Sequence, residues 1–179
     1  MDKIAINNMT YDIITFLGKG KGGCSYLVSD INGQYVYKQI HHEPCDYYEF
    51  GNKIESEIND YHKLSLIGIR MPKLLSYDMN KECLLKEYID GPTIYELVYQ
   101  DKMKESYLED VRKMCEILYQ NATNIDYFPT NFVVKNDLLY YIDYECNDYM
   151  AEWNFENWGS KYWTRSKEFL AYAKDHPIK

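Results

Sequence analysis

The dipeptide Gly91-Pro92 divides the chain into two stretches of different periodicity, and this limits the fold more than any other feature. Before it lie five apolar runs of strand character with one helical stretch among them. "MTYDIITFLG" ends in a glycine cluster, and "CSYLVSD" and "QYVYKQI" flank Asn32-Gly33, a strong hairpin signal. In "YYEFGNKIESEINDYHKLSLIG" the period changes. Ile54, Ile58 and Tyr61 recur at helical spacing, and Gly68 is a natural stop. "MPKLLSYDM" and "ECLLKEYI" then return to strand character.

After the break, Thr93 with Glu96 three residues on forms a capping box for a short helix through Val98. Residues 106 to 119 carry Leu108, Val111, Met114, Cys115 and Leu118 on one helical face. The segment "NIDYFPTNFVVKNDLLYYIDYE" reads as a hairpin, with Phe132, Val133 and Val134, a polar turn at Lys135, Asn136 and Asp137, and a second apolar run from Leu138 to Ile142. A Trp-rich stretch and a last helix over Ser166–Lys174 follow. The expected class is α+β. Residues 1–87 form a lobe with a five-stranded antiparallel sheet and one helix, and 88–179 a mostly helical lobe with one hairpin.

Apolar residues make up 46% and charged residues 27%, a globular balance rather than a disordered one. The net charge of −8 argues against a nucleic-acid reader, which needs a basic face, and no basic block suggests a membrane surface. No apolar run approaches the length of a membrane span, and the Met-Asp-Lys start lacks the apolar stretch of a signal peptide. Five scattered cysteines without a CxxC pair predict neither a zinc site nor a disulfide framework, so a reduced, cytoplasmic compartment is expected. His41, His42 and Cys45 offer half a metal site, but no matching half exists.

Three places carry chemistry. "LGKGKGG" gives Gly18, Gly20 and Gly23 the spacing G-x-G-x-x-G, which allows a tight turn and close approach of backbone to phosphate. Any strand-loop-strand also carries glycines, and the strand that follows counts against a dinucleotide-binding βαβ unit. Lys38 lies inside the third apolar run. It either faces outward or is buried and paired, because an unpaired buried ammonium is costly. Glu57 on the following helix is a partner, and Glu55 points about 160° away from it, so at most one of the two faces the strand. In the hairpin, Asp126 and Asn131 stand before the first strand and Asp143 directly after the second.

This ordered set, glycine-rich loop, strand lysine, helix glutamate, "LLKEYI" before a break, then D-x-x-x-x-N and an aspartate closing a hairpin, resembles the protein-kinase-like fold. It includes that fold's small-molecule relatives, the aminoglycoside and choline phosphotransferases, and atypical serine/threonine kinases. The resemblance runs from about Phe16 to Glu145. It implies an ATP-dependent phosphotransferase with Mg²⁺. Backbone amides around Gly18, Gly20 and Gly23 would cover the phosphates. Lys38, oriented by Glu57, would hold the α- and β-phosphates, and backbone groups of Glu87 and Ile89 would bond the adenine edge. Asp126 would orient the hydroxyl of the acceptor, and Asn131 and Asp143 would hold the metal.

The departures narrow the expectation. Asn124 stands where many members have histidine, and the metal motif reads Asp143-Tyr144-Glu145 rather than Asp-Phe-Gly. "DYFPTN" resembles the D-x-x-P-x-N loop of small-molecule kinases. No A-P-E sequence occurs, and few residues follow Glu145, so a long activation segment is not expected. Either the acceptor site is built from little, or a protein partner completes the reduced second lobe. Trp153, Trp158 and Trp163 recur at five-residue intervals, on no single helical face, and are expected as a lid over the helix at 106–119, with an aromatic substrate platform or partner surface as the alternative. A nucleotide-binding scaffold without turnover, acting in a complex, is the alternative function.

Overall fold

The computed structural model describes residues 2–44 and 51–178, so Cys45 and the first residues of the predicted helical stretch lie outside the described residues. The fold is α+β and divides into two compact units, residues 1–59 with 72–88, and 60–71 with 89–179.

The first unit is a curled antiparallel sheet. Its strands are β1 (Lys3–Ile6), β2 (Met9–Lys19), β3 (Gly23–Asp30), β4 (Gly33–Ile40), β5 (Leu74–Asp78) and β6 (Cys83–Glu87), in the order β1-β2-β3-β4-β6-β5. Six strands are present, not the five expected. The additional one, β1, pairs with β2 through Ile6↔Met9, and the turn between them is Asn7-Asn8 with φ of 47° and 66°. Two positive-φ residues match the twist of a tight hairpin, and asparagine tolerates that conformation without glycine. The sequence therefore held a turn with no glycine to mark it.

Alternation along the strands sorts the side chains. Ile6, Tyr11, Val28, Tyr37, Cys83 and Leu85 form one buried cluster. Ile40 and Leu84 form another with Ile54 and Ile58 from α1 (Lys53–Leu66). The curl brings the Asn7 side chain to β5, where its amide donates to Ser76 Oγ at 2.7 Å and to the Tyr77 carbonyl at 3.0 Å.

The second unit holds α2 (Ile94–Tyr99), α3 (Glu105–Gln120) and α4 (Lys167–Asp175) around one core. The capping box at α2 forms as its sequence predicts. Thr93 Oγ1 accepts from the Glu96 amide at 3.1 Å, and Glu96 Oε2 accepts from the Thr93 amide at 2.7 Å. The inward stripe of α3 is Tyr107, Val111, Met114, Cys115 and Leu118. Two short antiparallel ribbons complete the unit: β7 (Thr123–Ile125) with β10 (Cys146–Asp148), and β8 (Phe132–Lys135) with β9 (Leu138–Tyr141). Of the three tryptophans only Trp163 is buried. Its indole N–H donates to the Tyr127 carbonyl at 2.8 Å, and its ring meets Phe132 and Phe155 edge-on. Trp153 is half exposed. The stretch reaches the end of α3 through Tyr119, whose hydroxyl accepts from the Phe155 amide and donates to Glu156. No described helix is long and apolar enough to cross a membrane.

Candidate functional site

In the first unit the glycine turn joins β2 to β3. Its glycines serve different ends. A Cβ at Gly23 would lie 2.5 Å from the Gln39 carbonyl, so packing against β4 requires glycine there. Gly18 and Gly20 have nothing within 4 Å of such an atom, so packing requires no glycine at either. The Gly20 amide donates to the Gly23 carbonyl at 2.9 Å and tightens the turn. A Cβ at Gly22 would lie 4.0 Å from Lys38 Nζ, which sets the turn close to that ammonium.

Lys38 is paired, not outward-facing. Its Nζ lies 2.8 Å from both carboxylate oxygens of Glu57, and the two side chains are 13% and 9% exposed. Glu55 is exposed, as the helical offset from Glu57 demands. Of the remaining predicted residues, Glu87 ends β6, its amide donating to the Lys73 carbonyl at 2.9 Å, and Ile89 is buried at the start of the second unit's longer segment. His41 and His42 have separate partners, the Gly20 carbonyl at 3.0 Å and Glu82 at 2.6 Å.

In the second unit the hairpin register brings Asp126, Asn131 and Asp143 together. Phe132 pairs with Tyr141, and one step outward the Ile142 amide donates to the Asn131 carbonyl at 2.9 Å, so Asp143 follows directly beside Asn131. The Asn131 amide nitrogen donates to the Asp126 carbonyl at 3.3 Å, closing the loop from the other side. Each carboxylate is held locally: Asp126 Oδ1 accepts from the Phe128 amide at 3.0 Å, and Asp143 Oδ1 from the Tyr144 amide at 2.8 Å. With its nitrogen turned to backbone, Asn131 has its oxygen left for a cation. An amide oxygen and a carboxylate are hard donors of the kind magnesium takes, together with water and phosphate oxygens. Among the described residues no cluster of three or more His, Cys, Asp or Glu could hold a metal ion.

Three residues at these sites escape a reading of the sequence. Tyr141, fully buried, donates its hydroxyl to the Glu145 carbonyl at 2.7 Å. Burial, then the charges of Asp143, Asp126 and Glu145, push this phenol well above its ordinary pKa. Asp60 of α1 accepts from the Cys146 amide at 3.2 Å and from its thiol at 3.3 Å. Lys53, buried at the start of α1, donates to the His41 carbonyl. Asn124 is buried, with its nitrogen on the Met150 carbonyl at 2.8 Å and its oxygen lacking a hydrogen-bond partner.

Compared with known proteins, the chain matches no family model and no curated protein.

Proposed function

We propose that the chain is a kinase-like, ATP-dependent phosphotransferase that moves the γ-phosphate to a hydroxyl acceptor. The observation that carries this reading is the gathering of Asp126, Asn131 and Asp143 at one end of the β8–β9 hairpin. Phosphoryl transfer asks little covalent work of a protein; it needs charge neutralised and atoms aligned. Asp126 is the group that orients the acceptor hydroxyl and takes its proton. Asn131 and Asp143 would hold Mg²⁺, which when bound neutralises phosphate charge. The Lys38–Glu57 pair supports the same reading, since a lysine fixed by a carboxylate presents a positioned charge to the α- and β-phosphates. Backbone groups of Glu87 and Ile89 are proposed to bond the adenine edge. The loop "DYFPTN" and the Asp143-Tyr144-Glu145 triplet favour a small-molecule or atypical protein acceptor.

The test is γ-phosphate transfer from Mg-ATP across sugars, aminoglycosides, lipids and peptides, with Asp126→Ala as control. Transfer by wild type and its loss in the variant is the expected result. ATP binding with no transfer to any acceptor would instead point to a nucleotide-binding scaffold.

A further inference from the structure

Three successive carbonyls of the glycine turn are held from one side. The Gly20 carbonyl accepts from the His41 ring at 3.0 Å, and the Gly22 carbonyl from the His41 amide at 3.3 Å. The Lys21 carbonyl lies 3.5 Å from Lys53 Nζ, at the outer reach of a hydrogen bond, and the same ammonium grips the His41 carbonyl at 2.5 Å. Because a carbonyl oxygen only accepts, His41 carries its proton on Nε2, and its Nδ1 accepts from the Glu43 amide at 3.3 Å.

In a trans peptide the carbonyl of one residue points opposite to the amide N–H of the next. Drawing the carbonyls of Gly20, Lys21 and Gly22 towards His41 and Lys53 therefore turns the amides of Lys21, Gly22 and Gly23 the other way. Successive amides turned to one side make an anion-binding concavity. Lys53 is also anomalous where it stands. It is 6% exposed and occupies the first turn of α1, where the helix dipole disfavours a cation.

We infer that Lys53 and His41 are positioning residues that set the glycine turn, before nucleotide arrives, with its amides facing the phosphates. This rests on the phosphotransferase reading for its ligand, though the clamp itself is a property of the free chain. Two measurements on the full chain test it. The first is amide hydrogen exchange at Gly20 without nucleotide, whose bond to Gly23 the clamp maintains. Exchange should be about tenfold faster in Lys53→Met, with protection restored in Lys53→Arg. The second is calorimetric affinity for ATP against adenosine. Lys53→Met and His41→Phe should each weaken ATP about tenfold while leaving adenosine within about twofold. Unchanged Gly20 exchange, or equal losses for ATP and adenosine, would overturn the inference. Should the wild type bind neither compound, the phosphotransferase reading falls, and the exchange measurement alone decides the clamp.

Discussion

The Asn131 carbonyl accepts the Ile142 amide at 2.9 Å, one step beyond the last pair of the β8–β9 ladder. That bond brings two residues twelve positions apart in sequence, Asn131 and Asp143, to the same end of a rigid ribbon. It makes the hairpin a holder for the loop that starts at Asp126. In the proposed reaction Asp126→Ala should lower turnover by roughly a thousandfold while ATP affinity stays within about twofold, since a proton-handling group acts in the transition state. Single-turnover transfer and equilibrium binding measured on the same preparation check both halves.

Replacing Lys38 by Met would leave the Glu57 carboxylate, 9% exposed, without the ammonium that neutralises it. Breaking a buried pair from one side typically costs about 3 kcal/mol. The double variant Lys38→Met/Glu57→Gln should recover much of that loss, because no charge is stranded. Urea denaturation of wild type and the two variants measures the difference.

Gly20 and Gly23 should respond in opposite ways to alanine. At Gly23 the new methyl meets the Gln39 carbonyl at 2.5 Å, and forcing the strands apart should destabilise by about 2 kcal/mol. At Gly20 nothing stands within 4 Å, so the melting temperature should hold while affinity for ATP falls. Thermal melts paired with nucleotide titration separate the two.

Trp163→Phe should destabilise by about 2 kcal/mol, since it deprives the buried Tyr127 carbonyl of its indole donor. Trp153, 52% exposed, should tolerate alanine within about 0.5 kcal/mol. Chemical denaturation of both variants checks the contrast.

Two buried thiols contribute to how stability changes at alkaline pH. Burial pushes Cys115 up to about 11, and burial with the nearby Asp60 carboxylate pushes Cys146 up to about 12. Both pKa values rise on folding from the ordinary thiol value of 9.0, so the folded chain keeps protons that the unfolded chain releases. The stability they contribute is complete below about pH 9. It is then lost as pH rises, up to about 11 for Cys115 and about 12 for Cys146. Denaturation from pH 8 to 12 should show this fall, shallower in Cys146→Ala.

Local signals made much of this legible. Asn32-Gly33 marks its hairpin with a glycine, and the turn Asn136-Asp137, with φ of 53° and 59°, uses residues that favour that conformation. Thr93 and Glu96 announce the start of α2. The Lys38–Glu57 pairing was legible only in part, because the helical offset lets at most one of Glu55 and Glu57 face the strand and an outward-facing lysine fits the sequence as well. Asn7-Asn8 hid β1 because the turn lacks a glycine. The three-residue strands β7 and β10 are too short to show any period. Tyr141, Asp60 and Lys53 were invisible for a different reason. Their partners Glu145, Cys146 and His41 are chosen by the fold, and a tyrosine in an apolar strand looks like any other core residue.

Asn7 also bears on how the chain behaves at high concentration. β5 closes the sheet order, and Leu75 and Tyr77 lie exposed along it with Met79 exposed just past its end, the sort of greasy margin that recruits strands from other molecules. The carboxamide of Asn7 already occupies the Tyr77 carbonyl and the Ser76 hydroxyl, so an incoming strand must first evict it. One amide thus caps two hydrogen-bonding groups on the rim of the sheet.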